Sequence, residues 1–451
     1  MDIETLRQRV RTIAIVLLEN RSFDHVFGHM RLPDFGGRTD VDGIGDLADP
    51  AFANASADGT PRQPFVLRDG GLLVDLPHER GPVATQLAMD QTGSCLMNGF
   101  VQAYETMHGP SDTPQPPPLG ILHPDDVPTS RFFADQYTLC DAWFAPLPTS
   151  TQPNRLMALS GYTLRDATES GLLAEQDTFL DWLDARGVRW RVYSAGLSFF
   201  ALMPKFWPLL LTDKFRRLGS LAHDVVNESD EDWPEVILIE PDYDDSPVHL
   251  SGHACDNHPP LAIAFGEAFL RQVYEALTAN RARWDHTVMI HTYDEHGGFF
   301  DHARPLPIGA GVPSGASYRE GFATTGVRVP AVVVSPMVAA GSVCHATFDH
   351  TSILQLLAER FGEGEPYSAE VEARRQGGIA SVSVVLDANV RRETIPTAPA
   401  SPIRATVQLE TWREPVTAMQ RAFVAAAEGF AEAHGVKVTE RFPEIAHWLA
   451  P

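Results

Sequence analysis

The feature that most constrains the fold is a series of short apolar, β-branched runs that give way to polar residues. Thr12–Leu18 and Val288–Tyr293 are two such runs. The polar groups associated with the series are Glu19-Asn20, Thr151, Asp294-Glu295 and Asp349-His350. Runs of this kind are typical of buried parallel strands, and open α/β sheets bind their ligands at the carboxyl ends of such strands. The pattern therefore favours a metal-assisted hydrolase site at one edge of a sheet.

The remaining periodicity predicts an α/β sheet flanked by helices. Further strands are predicted at Val188–Tyr193, Val236–Ile239 and Ala331–Val334. Apolar residues at helical spacing between 261 and 280 predict a helix that leads into the strand at 288. A second helix is predicted to be capped by Thr351 or Ser352 and to end near Gly362. Alternation of strands and helices is typical of a doubly wound sheet.

Composition limits the classes of partner. The chain has 451 residues, of which 44% are hydrophobic, so it can bury one large core or two moderate ones. With 35 Lys and Arg against 59 Asp and Glu, the formal charge is −24. This charge opposes binding to nucleic acid and permits at most peripheral membrane contact. The four cysteines show no CxxC spacing, so buried free thiols are expected.

The ends of the chain give two further expectations. The apolar run from Ile13 to Leu18 is too short for a signal peptide or a membrane span, so a cytoplasmic location is the default, with export left open. The Pro-rich stretch 395–402 is expected to separate the α/β body from a terminal helix. On this basis a catalytic domain is predicted at 1–390 and a docked C-terminal segment at 391–451. Within that segment a helix is predicted with a shared apolar face at Val416, Met419, Phe423 and Phe430.

The absence of several common catalytic and nucleotide-binding motifs narrows the class of reaction. The sequence contains no GxSxG elbow, no Walker loop and no HExxH helix. What remains is a set of oxygen donors, namely Glu19, Asn20, Asp294 and Glu295. Three carboxylates and an amide carbonyl suit a hard divalent cation such as Mg²⁺, Ca²⁺ or Mn²⁺, with zinc also open. The hydroxyl of Thr151 beside such a cation is a candidate nucleophile.

Each of these residues also has an ordinary structural interpretation. Acidic pairs after strands often cap helices or lie in solvated loops. An imidazole in a turn often only binds a backbone carbonyl. The candidate histidines are His78, His258, His302 and His350, and two of them belong to the doublets Asp301-His302 and Asp349-His350. Such a doublet can orient an imidazole or bind metal, and the histidines carry more weight as a group than singly.

Four long motifs occur in an order that matches a known family. They are 19–25 (ENRSFDH), 140–144 (CDAWF), 150–155 (STQPNR) and 292–302 (TYDEHGGFFDH). On these residues the chain resembles the phosphoesterase family of bacterial phospholipases C, plant nonspecific phospholipases C and related acid phosphatases. The STQPNR form is most similar to the nonspecific phospholipase branch, and shorter matches extend the resemblance to about residue 361.

The resemblance implies an alkaline-phosphatase-like α/β fold and a set of site residues. Metal ligands are implied at Glu19, Asn20, Asp294 and Glu295, with the nucleophile at Thr151 as a covalent phosphothreonine. His78 and His258 are expected to contact the phosphoryl oxygens, and His302 and His350 to contact substrate or the leaving oxygen. Asn154, Arg155 and Asn257 are expected to bind substrate, although some relatives carry a second histidine in place of Asn257.

Substrate is harder to predict than chemistry, because one site can cleave diesters or monoesters. A phospholipase C-like phosphodiesterase that releases diacylglycerol is the leading hypothesis. A broad-range acid phosphatase and a catalytically silent binding protein of the same fold are the alternatives. The apolar stretches 197–203 and 206–211 either line an acyl entrance, touch a membrane or form an ordinary buried helix. Oligomeric state is not indicated by any sequence feature.

Overall fold

The computed structural model describes residues 1–68, 74–111, 113–246, 249, 253–400, 417–443 and 445. The strands are β1 Thr12–Leu18, β2 Asn54–Ala55, β3 Pro61–Arg62, β4 Phe65–Leu67, β5 Gly120–Leu122, β6 Thr138–Cys140, β7 Trp143–Phe144, β8 Trp190–Ser194, β9 Phe215–Arg217, β10 Val236–Glu240, β11 Thr287–Tyr293, β12 Ala331–Val334, β13 Ser342–Cys344 and β14 Phe348–Asp349. The helices are α1 Ile3–Arg9, α2 Phe23–Phe27, α3 Arg80–Leu87, α4 Phe100–His108, α5 Pro128–Gln136, α6 Thr151–Ser160, α7 Phe179–Asp184, α8 Trp207–Leu210, α9 Leu221–Asn227, α10 Ala264–Thr278, α11 Arg281–Trp284, α12 Thr351–Phe361, α13 Ala369–Gln376, α14 Ala418–His434 and α15 Val436–Arg441.

Eight strands form the central sheet, in the order β13-β6-β12-β11-β1-β10-β8-β9. The five from β11 to β9 run parallel, and β12 is antiparallel to both of its neighbours. Strands β1, β10 and β11 are buried along their whole length, as their continuous apolar runs predict. The predicted α/β sheet flanked by helices is confirmed, and two of the five predicted strands, β1 and β12, match residue for residue.

The boundaries of other elements differ slightly from prediction. Strand β8 begins two residues later than predicted. The helix predicted after 350 begins at Thr351, but its cap is not Thr351 or Ser352. The side chain of Asp349 accepts hydrogen bonds from the backbone N–H and the hydroxyl of Thr351. An acidic side chain before the first turn satisfies an otherwise unpaired N–H, and the sequence pattern did not distinguish it from its neighbours.

The apolar stretches at 197–211 are part of the core. Phe199–Leu202 forms a 3-10 turn under α14, and Trp207 donates its indole N–H to the carbonyl of Ala201 over 2.8 Å. Phe199, Phe200 and Phe206 are each no more than 2% exposed. Most of the stretch is thus buried, in 3-10 turns and the short helix α8 rather than in one long helix, and Pro208 is exposed. Contact of this stretch with an acyl chain or a membrane stays a prediction.

The C-terminal helix packs into the same core as the sheet. Met419, Phe423 and Phe430 of α14 are buried, as predicted, whereas Val416 lies outside the described residues. Arg9 donates to the carbonyls of Ala388 and Val390, and Arg281 donates to the carbonyls of residues 392 and 393. The chain on either side of residue 390 is therefore tied to the body, and the domain boundary placed there stays a prediction.

The cysteines and the apolar character of the helices also relate to predictions from the sequence. All four cysteines are free, three of them are buried, and Cys344 on the edge strand β13 is partly exposed. Among the described residues, no helix has the length and apolar character that crossing a membrane requires.

Candidate active site

The site is built on two neighbouring parallel strands, β1 and β11. Leu18 and Tyr293 are register partners at their carboxyl ends. The next residues along each strand, Glu19 and Asp294, therefore leave the sheet side by side. The backbone N–H of Asp294 donates to the carbonyl of Leu18 over 3.0 Å, which extends the ladder to this point. The pairing of two acidic residues that the sequence separates by 275 positions follows from sheet register alone.

Asn20 takes a backbone conformation that few side chains adopt. Its φ is 62°, in the left-handed region, and its N–H donates to Oδ1 of Asp294 over 3.1 Å. A Cβ on Gly297 would lie 2.1 Å from the carbonyl oxygen of Asn20. Gly297 also has a φ of 61°, so the close approach of the two strand-end loops and the backbone conformation both require glycine there.

Thr151 is the first residue of α6 and faces this pair of loops. It is 4% exposed, and its hydroxyl donates to Oδ1 of Asn20 over 3.4 Å. Asn154 holds the preceding loop in place, since its side-chain amide bonds the backbone of Leu147, Thr149 and Ser150. A hydroxyl at a helix N-terminus lies where unpaired N–H groups and the helix dipole favour an anion.

Arg155, one turn further along α6, lies between two of the carboxylates. Its Nη2 is 3.0 Å from Glu19 Oε1, and its Nε is 3.3 Å from Asp294 Oδ2. The guanidinium also donates to the hydroxyl of Tyr243 over 3.0 Å and is 3% exposed. The contact with Glu19 has the distance but not the angles of a hydrogen bond, so it acts mainly through charge.

The donor set fits a divalent cation. Both oxygens of Glu19, Oδ2 of Asp294 and Oε1 of Glu295 are buried without a hydrogen-bond donor. Buried carboxylate oxygens of this kind are the ligands that a hard divalent cation takes in proteins. Burial raises the pKa of Asp294 to about 8 and also raises that of Glu19, although Arg155 opposes both shifts. Asp294 therefore needs a further positive charge to stay ionised at neutral pH.

Glu295 differs from its two neighbours. Burial acts to raise its pKa, but the charge of His78 and the hydrogen bond from His296 outweigh burial and lower it. The carboxylate also accepts the backbone N–H of Gly297 over 2.8 Å. Glu295 is thus the member of the set that the protein itself holds ionised.

His78 and His258 face the site with one ring nitrogen free of backbone contact. Each directs Nδ1 to a backbone carbonyl over 2.6 Å, that of Leu76 for His78 and that of Pro259 for His258. The rings lie edge to face, with centroids 5.9 Å apart. Burial disfavours charge on both rings, but neighbouring carboxylates outweigh burial. Glu295 and Asp75 raise the pKa of His78 to about 9, and Asp75 and Asp245 raise the pKa of His258 well above its ordinary value. Both are cations suited to an anionic substrate group.

His350 and His302 have both ring nitrogens occupied. His350 accepts the indole N–H of Trp143 at Nδ1 over 3.1 Å, so its Nε2 must donate to the carbonyl of Asp294, 2.7 Å away. Burial lowers its pKa to about 4, so the ring is neutral. His302 contacts Asp24 through Nδ1 over 2.6 Å and Asp42 through Nε2 over 3.2 Å. Contact of either ring with substrate stays a prediction.

The three residues expected to bind substrate all bond to protein groups. Arg155 joins the carboxylates, and Asn154 braces the loop before Thr151, as described above. Asn257 donates its side-chain amide to the hydroxyl of Tyr293 over 2.7 Å, and its backbone φ is 74°. Substrate contact by these residues also stays a prediction, and their observed bonds position the groups around them.

Sequence reasoning did not select three acidic residues beside the histidines. Ligand atoms of Glu19, Asp245 and His258 all lie within 4.8 Å of one another, as do those of Asp75, His78 and His258. Asp256 accepts the backbone N–H of His258 over 3.1 Å. Asp245 belongs to the acidic run after β10, so the rule for carboxyl ends of parallel strands applies to it as well. Asp75 carries no comparable signal.

Comparison with protein families finds a match that spans the site. The family model described as Phosphoesterase family matches residues 10–363, which contain every residue of the site described above.

Three characterised relatives are named as phospholipases C. Non-specific phospholipase C1 of Arabidopsis thaliana is 31% identical over 383 residues, which is 76% of this chain and 65% of that protein. Non-hemolytic phospholipase C of Burkholderia pseudomallei is 28% identical, covering 78% of this chain and 55% of its own length. Phospholipase C A of Mycobacterium tuberculosis is 29% identical, with coverages of 79% and 74%. The chain thus spans less than two thirds of the length of the first two relatives.

Solved structures show a more distant similarity. A sulfatase from Pseudoalteromonas sp. matches with a TM-score of 0.39 and 10% identity, covering 86% of this chain and 75% of that chain. A protein of the alkaline phosphatase superfamily from Vibrio parahaemolyticus matches with a TM-score of 0.29 and 12% identity, covering 52% and 60%.

Proposed function

Since the chain belongs to the phosphoesterase family, we propose that it is a metal-dependent phosphodiesterase of the phospholipase C type. It cleaves phospholipid into diacylglycerol and a phosphorylated head group, through a phosphothreonine at Thr151. The names of the relatives support the reaction and the substrate class. The observation that carries the proposal is the position of Thr151, whose hydroxyl lies 3.4 Å from Asn20 beside carboxylate oxygens without donors.

Glu19, Asn20, Asp294 and Glu295 would hold the cation. When bound, a divalent cation supplies positive charge to the phosphoryl oxygens and favours the ionised form of a nearby hydroxyl. Arg155 keeps the first and third of these ligands at a fixed spacing, since it contacts both carboxylates from one face of α6. The neutral His350 fixes the backbone of Asp294 through its carbonyl.

Thr151 and the two histidines have separate roles in the reaction. The Thr151 oxygen attacks phosphorus from the N-terminal end of α6, where helix N–H groups favour the anionic phosphoryl group. Cationic His78 and His258 neutralise the other phosphoryl oxygens, and one of them gives a proton to the departing diacylglycerol oxygen. Water afterwards attacks the phosphothreonine, which releases the phosphorylated head group and restores the hydroxyl.

Purified protein tests the proposal on two substrates, phosphatidylcholine and p-nitrophenyl phosphate. Each is incubated with Mg²⁺, Ca²⁺, Mn²⁺ or chelator. We expect metal-dependent release of diacylglycerol, absent in Thr151→Ala and partly retained in Thr151→Ser. Thr106→Ala, at an exposed threonine of α4, serves as the matched control. Acid quenching of the reaction with phosphatidylcholine, followed by mass spectrometry, is expected to find one added phosphocholine group on Thr151, because only diacylglycerol has left at that stage.

The same assay separates the alternatives. Turnover of p-nitrophenyl phosphate alone would make the chain a phosphomonoesterase. No turnover of either ester, with binding of phospholipid retained, would indicate a silent protein of this fold. Full activity of Thr151→Ala would overturn the assignment of the nucleophile.

A further inference from the structure

Ser150, the residue before the proposed nucleophile, is held by contacts from two directions. It is fully buried, and its hydroxyl donates to Oε2 of Glu79 over 2.7 Å. The hydroxyl oxygen of Ser150 accepts the backbone N–H of Thr168 over 2.9 Å and is 3.0 Å from the hydroxyl of Thr168. Ser150 is the N-cap of α6 but makes no side-chain cap of its own helix. Its hydroxyl therefore serves the surrounding loops rather than α6.

Glu79 has a matching feature. It occupies the N-cap of α3, and it also makes no side-chain hydrogen bond to its own helix. Its carboxylate turns instead to Ser150, across 71 residues of sequence. Since Glu79 directly follows His78, one short segment carries both a proposed phosphoryl contact and the acceptor for the neighbour of the nucleophile.

A second contact runs in parallel. Arg80 forms an ion pair with Asp166 over 2.6 Å, and the carbonyl of Asp166 accepts the hydroxyl of Thr149 over 2.6 Å. Residues 79–80 and 166–168 thus hold 149–150 together through buried or half-buried polar contacts. Such a set of bonds fixes the direction from which α6 presents its first residue.

We infer that Glu79 is a positioning residue for Thr151, acting through Ser150, an inference that rests on the proposed function. The Ser150–Glu79 bond sets the orientation of the peptide that precedes Thr151 and therefore the line of attack on phosphorus. The bond also couples that orientation to His78, because His78 directly precedes Glu79. Thr151 and the charged ring of His78 therefore move as one unit. Displacing an attacking group by about 1 Å can cost on the order of 100-fold in rate.

A double-mutant cycle in kcat tests the inference on phosphatidylcholine with metal present. We expect Glu79→Ala and Ser150→Ala each to lower kcat about 10- to 100-fold, with little change in KM. Because both remove the same bond, the double variant should be no slower than the slower single variant. Glu79→Gln retains an oxygen acceptor and should recover most of the rate. Glu320→Gln, at an exposed position in a nearby loop, is the control.

Several outcomes would overturn it. Independent effects that multiply in the double variant, an unchanged kcat in Glu79→Ala, or no rescue by Glu79→Gln would each do so. If Glu79→Ala does not fold, Ser150→Ala and Glu79→Gln still test the inference. It requires that Ser150→Ala lower kcat and that Glu79→Gln retain most of the wild-type kcat. Phosphothreonine formation in the wild type shows separately whether the proposed function holds. If no phosphothreonine forms and Thr151→Ala is fully active, both proposals are overturned. If phosphothreonine forms but the effects of Glu79→Ala and Ser150→Ala are independent, only the positioning role of Glu79 is overturned.

Discussion

Thr151 and Arg155 lie one helical turn apart on α6, and both contact the oxygen donors at the ends of β1 and β11. Thr151 donates to Asn20, while Arg155 contacts Glu19 and Asp294. Residues four apart share a helix face, so one rigid element presents both a nucleophile and a fixed cation to the strand ends. The spacing between the proposed nucleophile and the carboxylates is therefore set by α6 as a unit.

Replacing Arg155 is expected to destabilise the protein strongly. Arg155→Met leaves Glu19 and Asp294 buried without their cation, and breaking such a pair costs about 3–5 kcal/mol. Urea unfolding in chelator measures the loss, and added divalent cation should restore part of it. Arg375→Met, which removes an exposed ion pair on α13, should change stability by less than about 1 kcal/mol. Equal effects of the two variants would contradict the role given to Arg155.

Divalent cation is expected to stabilise the folded chain directly. Binding to the native state alone adds about 2.7 kcal/mol at a ligand concentration of about 100 Kd. Thermal unfolding at increasing Mg²⁺, Ca²⁺ or Mn²⁺ should show a rising Tm for the wild type. Asp294→Asn should abolish the rise, whereas the exposed Asp213→Asn should not. A rise that persists in Asp294→Asn would place the cation elsewhere.

His302 gives an expected pH dependence of stability. Burial acts to lower its pKa, but Asp24 and Asp42 outweigh burial and raise the pKa to about 10. Because the folded pKa exceeds the ordinary value near 6.5, the stabilisation is full below about pH 6.5 and is lost as pH rises through about 10. The amount is on the order of a few kcal/mol for this side chain, which is 17% exposed.

Urea unfolding across that pH range measures the effect. The difference in stability between wild type and His302→Gln should shrink with rising pH. His223→Gln, at a side chain that is 75% exposed, should track the wild type throughout. A constant difference between wild type and His302→Gln would show that the ring is not charged in the folded state.

The C-terminal helix is expected to unfold together with the sheet. Phe430 is fully buried against Trp207 and Phe442, so Phe430→Ala should cost about 3–5 kcal/mol. Val384→Ala, at a side chain that is 54% exposed, should cost far less. Intrinsic fluorescence and circular dichroism should report one transition in urea. A separate early transition that leaves turnover intact would show instead that α14 is an independent unit.

The sequence predicts the residues at the strand ends of the site, but it does not predict the contacts that support them. The strand runs before Glu19 and Asp294 are continuous apolar segments, so their burial and the strand ends follow from composition and spacing. Asp75 and Glu79 lie in a segment without periodicity, and nothing local distinguishes them from solvated acids. Only the packing of that segment against 150 and 258 gives them partners.

Side-chain period and hydrophobicity act locally along the chain, so they are enough to predict which segments are buried and which residue types end them. The sequence therefore predicted β1, β11, α12 and the oxygen-donor set. How those groups interact depends on the folded structure. Arg155 stands between two carboxylates, His350 is neutral, and the apolar stretch 197–211 lies under α14 because of contacts between residues far apart in sequence. Charge, protonation and burial depend on distance in space, and sheet register and helix packing set those distances.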